Sequence, residues 1–82
     1  MSITDIVPQG TALIGQRLRE ARTAMGLTQE QVAEHLGVRQ GRVSMLERGS
    51  GTNPITLLRL AHLYGTTTDY LIGGDGVEQS AA

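Results

Sequence analysis

Apolar residues recur along this chain every three or four positions, which is the spacing of amphipathic α-helices, and glycines separate one set from the next. The first set comprises Ile14, Leu18, Ala21 and Met25. It predicts a helix over residues 11–25 that buries one stripe and stops at Gly26, because glycine readily adopts the left-handed conformation that ends a helix. Gly15 lies near the start of this helix and is expected to weaken its first turn.

A second helix is predicted to begin at Gln29, because Thr28 and Gln31 form a Thr-x-x-Gln capping box. Its apolar face consists of Val32, Ala33 and Leu36. Gly37 then allows the helix to stop and the chain to change direction within three residues. The pattern predicts two short helices joined by a tight turn, with the small Ala33 near their closest approach.

The third helix follows this turn directly, with Val38 packed inside the turn and Val43 and Leu46 facing the core. Gly49 marks its end. The outward face carries polar, basic and mostly short side chains, namely Arg39, Gln40, Gly41, Arg42, Ser44 and Met45. A face of this composition is suited to a polyanion.

Two more helices are predicted in the second half of the chain. Asn53 and Pro54 give a cap followed by proline at the first helical position, and Gly65 ends this fourth helix after Tyr64. Its stripe is Leu57, Leu60, Ala61 and Tyr64, broadened by Leu58 and Leu63. A short fifth helix over residues 68–72, capped by Thr67, carries three consecutive apolar residues, Tyr70, Leu71 and Ile72. These cannot all face one core, and the surplus predicts a partner subunit.

The chain of 82 residues forms one predicted domain, over residues 11–73. Residues 1–10 contain Ile3, Ile6 and Val7 beside Pro8 and Gly10, and they are interpreted as an N-terminal arm, with an untethered terminus as the alternative. Residues 74–82 are small and polar and are expected to form a disordered tail.

The net charge of −1 is unfavourable for a nucleic-acid partner, but the charges are unevenly distributed. Residues 13–49 contain six arginines and four glutamates, and the rest of the chain has one arginine and four acids. The basic surface is therefore local. Non-specific DNA binding is expected to be weak, because it scales with the number of phosphates that are neutralised.

No set of residues in the sequence suits catalysis. There is no cysteine for a disulfide, a thiolate site or a nucleophile, and His35 and His62 lack a second ligand at metal-binding spacing. We therefore expect no enzyme activity, no cofactor and no metal. The sequence also has no membrane-length apolar run and no signal-peptide pattern at its N-terminus, so a cytoplasmic location is expected.

In this order, the motifs resemble the phage repressor and Cro-type helix-turn-helix family, also called the XRE family. The resemblance covers residues 13–73. It rests on the Thr28-Gln29 start, the set Ala33, Gly37 and Val43, the LERG at 46–49, and the ending TLLRLAHLYGTTTDYLIGG. It implies an all-α, five-helix, lambda-repressor-like DNA-binding domain.

The resemblance also implies a function, that of a sequence-specific transcriptional regulator, most often a repressor, that binds a palindromic double-stranded DNA operator as a homodimer. The third helix would enter the major groove, and the predicted base contacts are Arg39, Gln40 and Arg42. Arg39 could instead contact phosphate, because the family commonly has a Ser or Thr cap there. Gly41 replaces the usual polar residue and would leave one base pair without a side-chain contact. The predicted phosphate contacts are Gln29, Ser44, Arg48 and Arg19.

Two further sets of residues follow from the resemblance and the apolar surplus. Arg22 and Glu47 are expected to form an ion pair that joins the first helix to the third. The predicted dimer contacts are Leu63, Tyr70, Leu71 and Ile72.

Other functions stay open for the same domain. Antitoxins, with a toxin as partner, and controller proteins of restriction–modification systems resemble it equally well. A protein-interaction module that has lost DNA binding is the alternative from another class. The acidic net charge favours it, as do Gly41 and Met45, where the family more often has polar or basic side chains.

Overall fold

The computed structural model describes residues 9–73, with side chains from residue 12 onward. Within this range the chain forms five α-helices and no strand, as predicted. They are α1 (Gln9–Ala24), α2 (Gln29–Leu36), α3 (Gln40–Glu47), α4 (Pro54–Tyr64) and α5 (Thr68–Leu71). Helix α1 begins two residues before the predicted start, so residues 9 and 10 of the predicted arm are helical. The rest of the arm and the predicted tail lie outside the described residues.

Local capping hydrogen bonds set the predicted helix starts. The Thr28 hydroxyl accepts from the Gln31 backbone N–H at 3.0 Å, and the Gln31 side chain accepts from the Thr28 N–H at 2.8 Å. Asn53 and Thr67 cap α4 and α5 in the same way, each accepting from a backbone N–H three residues later at 3.0 Å. Gly37 follows α2 with a φ of 75°, a conformation in which a side chain would be strained.

The core lies between all five helices. Its fully buried large side chains are Leu18, Leu46, Leu60, Leu71, Val32 and Val43. Two predicted inward residues are exposed instead, Met25 by 51% and Val38 by 40%. Met25 follows the last residue of α1, so it no longer continues the buried stripe of that helix. Val38 lies in the turn between α2 and α3, where its backbone N–H is bonded to Ala33 but its side chain faces outward.

The buried position of Leu71 corrects its predicted role in a dimer interface. Its side chain has no exposed area, so it packs in the core and is not available to a partner. Arg17, on α1, contacts the neighbouring Tyr70. Its guanidinium lies 4.6 Å from the centre of the Tyr70 ring, and Nη1 donates to the Tyr70 carbonyl oxygen at 3.0 Å. This contact connects α1 to α5.

Gly15 is required by close packing and does not lie in the first turn of α1, where it was expected to be a weak point. It is buried where α1 passes the end of α3. A Cβ atom there would lie 2.4 Å from the Glu47 carbonyl oxygen and 2.7 Å from the Gly49 backbone nitrogen. Because both are backbone atoms, neither can rotate away. The two helices approach this closely only because residue 15 has no side chain.

Gly15→Ala is therefore expected to lower the free energy of unfolding by about 1–3 kcal/mol, since helices α1 and α3 must separate. Gly41 provides the control, because it is also helical but a Cβ atom there meets nothing within 4 Å. Gly41→Ala should raise the same free energy by about 0.4–1 kcal/mol. Urea unfolding of the two variants measures both effects. Shifts in the same direction would contradict the close approach at Gly15.

No helix within residues 9–73 has the length and hydropathy needed to cross a bilayer.

Candidate nucleic-acid interface

Helix α3 has one buried and one exposed side. Val43 and Leu46 are almost completely buried against the other helices. Gln40 and Gly41, in its first turn, are exposed, as is Arg39, the residue that precedes the helix. The fold thus presents the N-terminal end of α3 to solvent on a rigid support.

The expected ion pair between α1 and α3 is present. Arg22 Nε donates to Glu47 Oε2 at 2.6 Å and Arg22 Nη2 donates to Glu47 Oε1 at 3.1 Å, a two-point contact between nearly buried side chains. A third donor, Arg22 Nη1, bonds the Leu27 carbonyl oxygen at 2.8 Å. The hydrogen bond to Glu47 raises the pKa of the Arg22 guanidinium, against the opposing effect of burial.

Gln29 and Gln40 extend this pair to the exposed end of α3. Gln29 Nε2 donates to Glu47 Oε1 at 3.0 Å, and Gln40 Nε2 donates to Gln29 Oε1. Four side chains from three helices therefore form one continuous set of hydrogen bonds. It runs from the nearly buried Arg22 side chain to the exposed Gln40.

The remaining predicted DNA contacts lie outside this set of hydrogen bonds. Arg42 is half-buried and donates to the Gly51 carbonyl oxygen at 3.0 Å, so it supports the loop after α3. Arg48 Nη1 donates to the Ser44 hydroxyl oxygen at 3.0 Å, which pairs two predicted phosphate contacts. Arg19, on α1, is exposed.

The buried Tyr64 lies close enough to the ion pair for both charges to act on its hydroxyl. Burial and, secondarily, the Glu47 carboxylate raise the pKa of Tyr64 from 10.0 to about 12. The folded state therefore favours the neutral phenol.

The free energy of unfolding should accordingly decrease at alkaline pH. Because the folded pKa of Tyr64 exceeds the unfolded one, its contribution is complete below pH 10 and is lost as the pH rises toward 12. At pH 12 the free energy of unfolding should be about 2 kcal/mol lower on this account. Urea unfolding across this range should show the loss in the unaltered protein and in Tyr70→Phe, and a flatter profile in Tyr64→Phe. An unchanged profile in Tyr64→Phe would assign the loss to another group.

Exposed apolar side chains occur on α4 and directly after α5, but Ile72 is the one predicted dimer contact among them. Ile55 is exposed by 72%, Leu58 by 51% and Ile72 by 53%, while Leu63 and Tyr70 are half-buried. Leu58 and Ile72 line a groove of about 400 Å³ together with Pro54, Leu57 and Thr68. Ile55 was missed, although its position outside the Leu57, Leu60, Ala61 and Tyr64 stripe was a usable signal.

His35 and His62, which the sequence places far apart, line one open groove beside Arg59. Among the described residues no group of three or more potential ligands could hold a metal ion. The groove has an apolar floor of Leu36, Leu58 and Leu63.

Comparison with known proteins places these features in a family. A family model described as helix-turn-helix matches residues 18–71. The chain is 42% identical over 67 residues to the HTH-type transcriptional regulator ImmR of Bacillus subtilis (strain 168), a match that covers 80% of this chain and 53% of ImmR. It is 32% identical over 63 residues to the SPbeta prophage-derived uncharacterized HTH-type transcriptional regulator YonR of the same organism, covering 76% of this chain and 58% of YonR. The chain thus spans little more than half the length of these relatives.

Proposed function

Because the chain belongs to the helix-turn-helix family, we propose that it is a sequence-specific DNA-binding regulator of transcription, with α3 in the major groove. The observation that supports this most directly is the exposed N-terminal end of α3, where the Gln40 amide is held by Gln29. Residues at this end of a recognition helix lie nearest the base edges. The name transcriptional regulator, which both relatives carry, supports the same function.

The proposed contacts are of two kinds, those to bases and those to phosphates. Gln40 can bond bidentately to adenine, and Arg39 and Arg42 can each bond to guanine O6 and N7. Arg42 would first leave the Gly51 carbonyl oxygen, so it exchanges one acceptor for another. The proposed phosphate contacts are Gln29, Ser44, Arg48 and Arg19. Gln29 begins α2, and the partial positive charge of that helix end favours an anion.

We further propose that the protein acts as a two-fold homodimer on a near-palindromic operator and that binding represses transcription. The contact surface that we propose consists of the exposed Leu58 and Ile72, which line one groove, and the exposed Ile55. The half-buried Leu63 and Tyr70 are proposed as further contacts. A two-fold dimer would place its recognition helices about 34 Å apart, one turn of DNA. A reporter gene with the selected operator beside its promoter distinguishes repression from activation.

Selection of bound sequences from a random DNA pool tests the proposal and gives the operator. Gln40→Ala is expected to weaken operator binding by about 1–3 kcal/mol and to relax the preference at one base pair, because it removes a bidentate contact. Binding isotherms on the operator and on all single-base variants measure both effects.

Arg48→Ala is the matched control for this experiment. As a phosphate contact, it should weaken binding to every sequence alike and reduce the salt dependence of binding by about one counterion. If Gln40→Ala leaves every base preference unchanged, Gln40 does not read a base. If the pool yields no enriched sequence at low salt, the protein does not bind DNA specifically.

A further inference from the structure

We propose that the Glu47 carboxylate determines which base Gln40 prefers, by fixing the orientation of the two side-chain amides that connect it to the DNA surface. Glu47 itself would touch no base. It would be a positioning residue for sequence recognition as well as half of an ion pair. This role rests on the proposed DNA binding and specifies how one base is selected.

The first step is the orientation of Gln29. An ionised carboxylate can only accept hydrogen bonds, whereas an amide has a donating and an accepting end. Both carboxylate oxygens of Glu47 accept hydrogen bonds from Arg22, at 2.6 and 3.1 Å. Gln29 must therefore turn its NH2 group toward Glu47 Oε1, which lies 3.0 Å away.

The second step transfers this orientation to Gln40. With its nitrogen committed to Glu47, Gln29 presents its carbonyl oxygen on the opposite side. Gln40 meets that oxygen with its own NH2 group. One Gln40 N–H bond and the Gln40 carbonyl oxygen remain for DNA, and their order along the α3 surface is fixed.

This order matters because adenine presents an acceptor, N7, beside a donor, the N6 amino group, in the major groove. A fixed amide matches adenine in one orientation only. An amide rotated by 180° would present its acceptor and donor in the opposite order. The Glu47 charge would thus allow the protein to distinguish adenine on one strand from adenine on the other.

Glu47→Gln is expected to reverse the whole set while keeping its shape. Arg22 has only donors here, so the new amide can keep one of its two bonds to Arg22. Keeping the shorter bond, of 2.6 Å, directs its oxygen to Arg22 Nε and its nitrogen to Gln29, and the 3.1 Å bond from Arg22 Nη2 is lost. Gln29 would then offer its oxygen to residue 47 and its nitrogen to Gln40. Gln40 would have to accept with its carbonyl oxygen, and its outward donor and acceptor would exchange places.

A second substitution should restore the original order. In the double variant Glu47→Gln, Gln29→Glu, the acceptor-only carboxylate lies at position 29, between two amide nitrogens. Gln40 would again turn its NH2 group inward. The double variant has the same net charge as the unaltered protein. It should bind all DNA more weakly because its carboxylate lies nearer the phosphates, but with the original base preference.

The test compares base preferences at the position that Gln40→Ala identifies. Glu47→Gln is expected to reduce the preference there by about tenfold or to transfer it to another base, with preferences elsewhere unchanged. The double variant should recover the original base, and Glu34→Gln, an exposed charge on α2, should change nothing. Equal loss of affinity for all four bases in a folded Glu47→Gln protein would overturn the proposal, as would failure of the double variant to restore the preference.

A measurement without DNA separates this inference from the proposed function. In nuclear Overhauser spectra the Gln29 NH2 protons should contact the Glu47 methylene protons in the unaltered protein and the Gln40 methylene protons in Glu47→Gln. An identical pattern in both proteins would overturn the orientation of the amides even if DNA is bound. The expected change together with no specific DNA binding would reject the DNA-binding function and, with it, the role in base selection.

Discussion

Glu47→Ala is expected to lower the free energy of unfolding by about 3 kcal/mol, because it leaves a nearly buried arginine without its counter-charge. The Arg22 side chain is only 12% exposed in the folded protein. Of its acceptors described above, only the Leu27 carbonyl oxygen would remain. Gln29 would lose an acceptor at the same time. The cost is that of an unpaired charge and is not the net contribution of the ion pair to stability.

Glu34→Ala is the matched control, since it removes the same charge from an exposed position on α2. Its effect should stay below about 1 kcal/mol. Urea unfolding of both variants at neutral pH measures the difference. Equal midpoints would show that the contact between Arg22 and Glu47 contributes nothing to the folded state in solution.

Leu71→Ala should have an effect of similar size, about 2–5 kcal/mol, for a different reason. The Leu71 side chain has no exposed area, so its truncation removes buried apolar surface and leaves a cavity beside α1 and α4. The neighbouring Ile72→Ala should change stability by about 0.5 kcal/mol when the chain is monomeric, because Ile72 is exposed by 53%. Unfolding at low protein concentration measures both.

Substitution of Ile72 should also separate folding from self-association. Ile72→Glu is expected to abolish the proposed dimer while leaving the monomer folded, because it introduces a charge into the proposed contact surface. Met25→Glu is the control, since Met25 is similarly exposed, by 51%, but follows α1 outside that surface. Sedimentation equilibrium gives the dimer constant for each. A dimer that tolerates Ile72→Glu would require another interface.

The features that the sequence predicts correctly are those that neighbouring residues decide. The caps at Thr28, Asn53 and Thr67 depend on hydrogen bonds that span three residues, so their residue types are sufficient to locate them. The apolar spacing of α4 likewise identifies its four buried residues. These local signals account for the number, order and approximate limits of the five helices.

The features that the sequence leaves undecided depend on contacts between distant residues. Arg17 and Tyr70 are 53 residues apart, and nothing near either one indicates that they meet. Gly15 has the composition of a weak helical position, and only the passage of α3 beside it explains the glycine. In α5, three consecutive apolar residues do not reveal which one faces inward. The DNA contacts and the dimer remain predictions, because they depend on a partner.

The short length of α2 and α3 has a consequence for how the protein folds. Each contains eight residues, fewer than the roughly 12–15 at which an isolated helix becomes even marginally stable in water. A peptide made of these two helices alone would therefore be largely unfolded, and the surface presented by α3 exists only while α1, α4 and α5 are assembled around it. Folding and the formation of this surface are one cooperative event. A destabilising substitution anywhere in the core should therefore lower the concentration of active protein by the fraction of molecules that it unfolds.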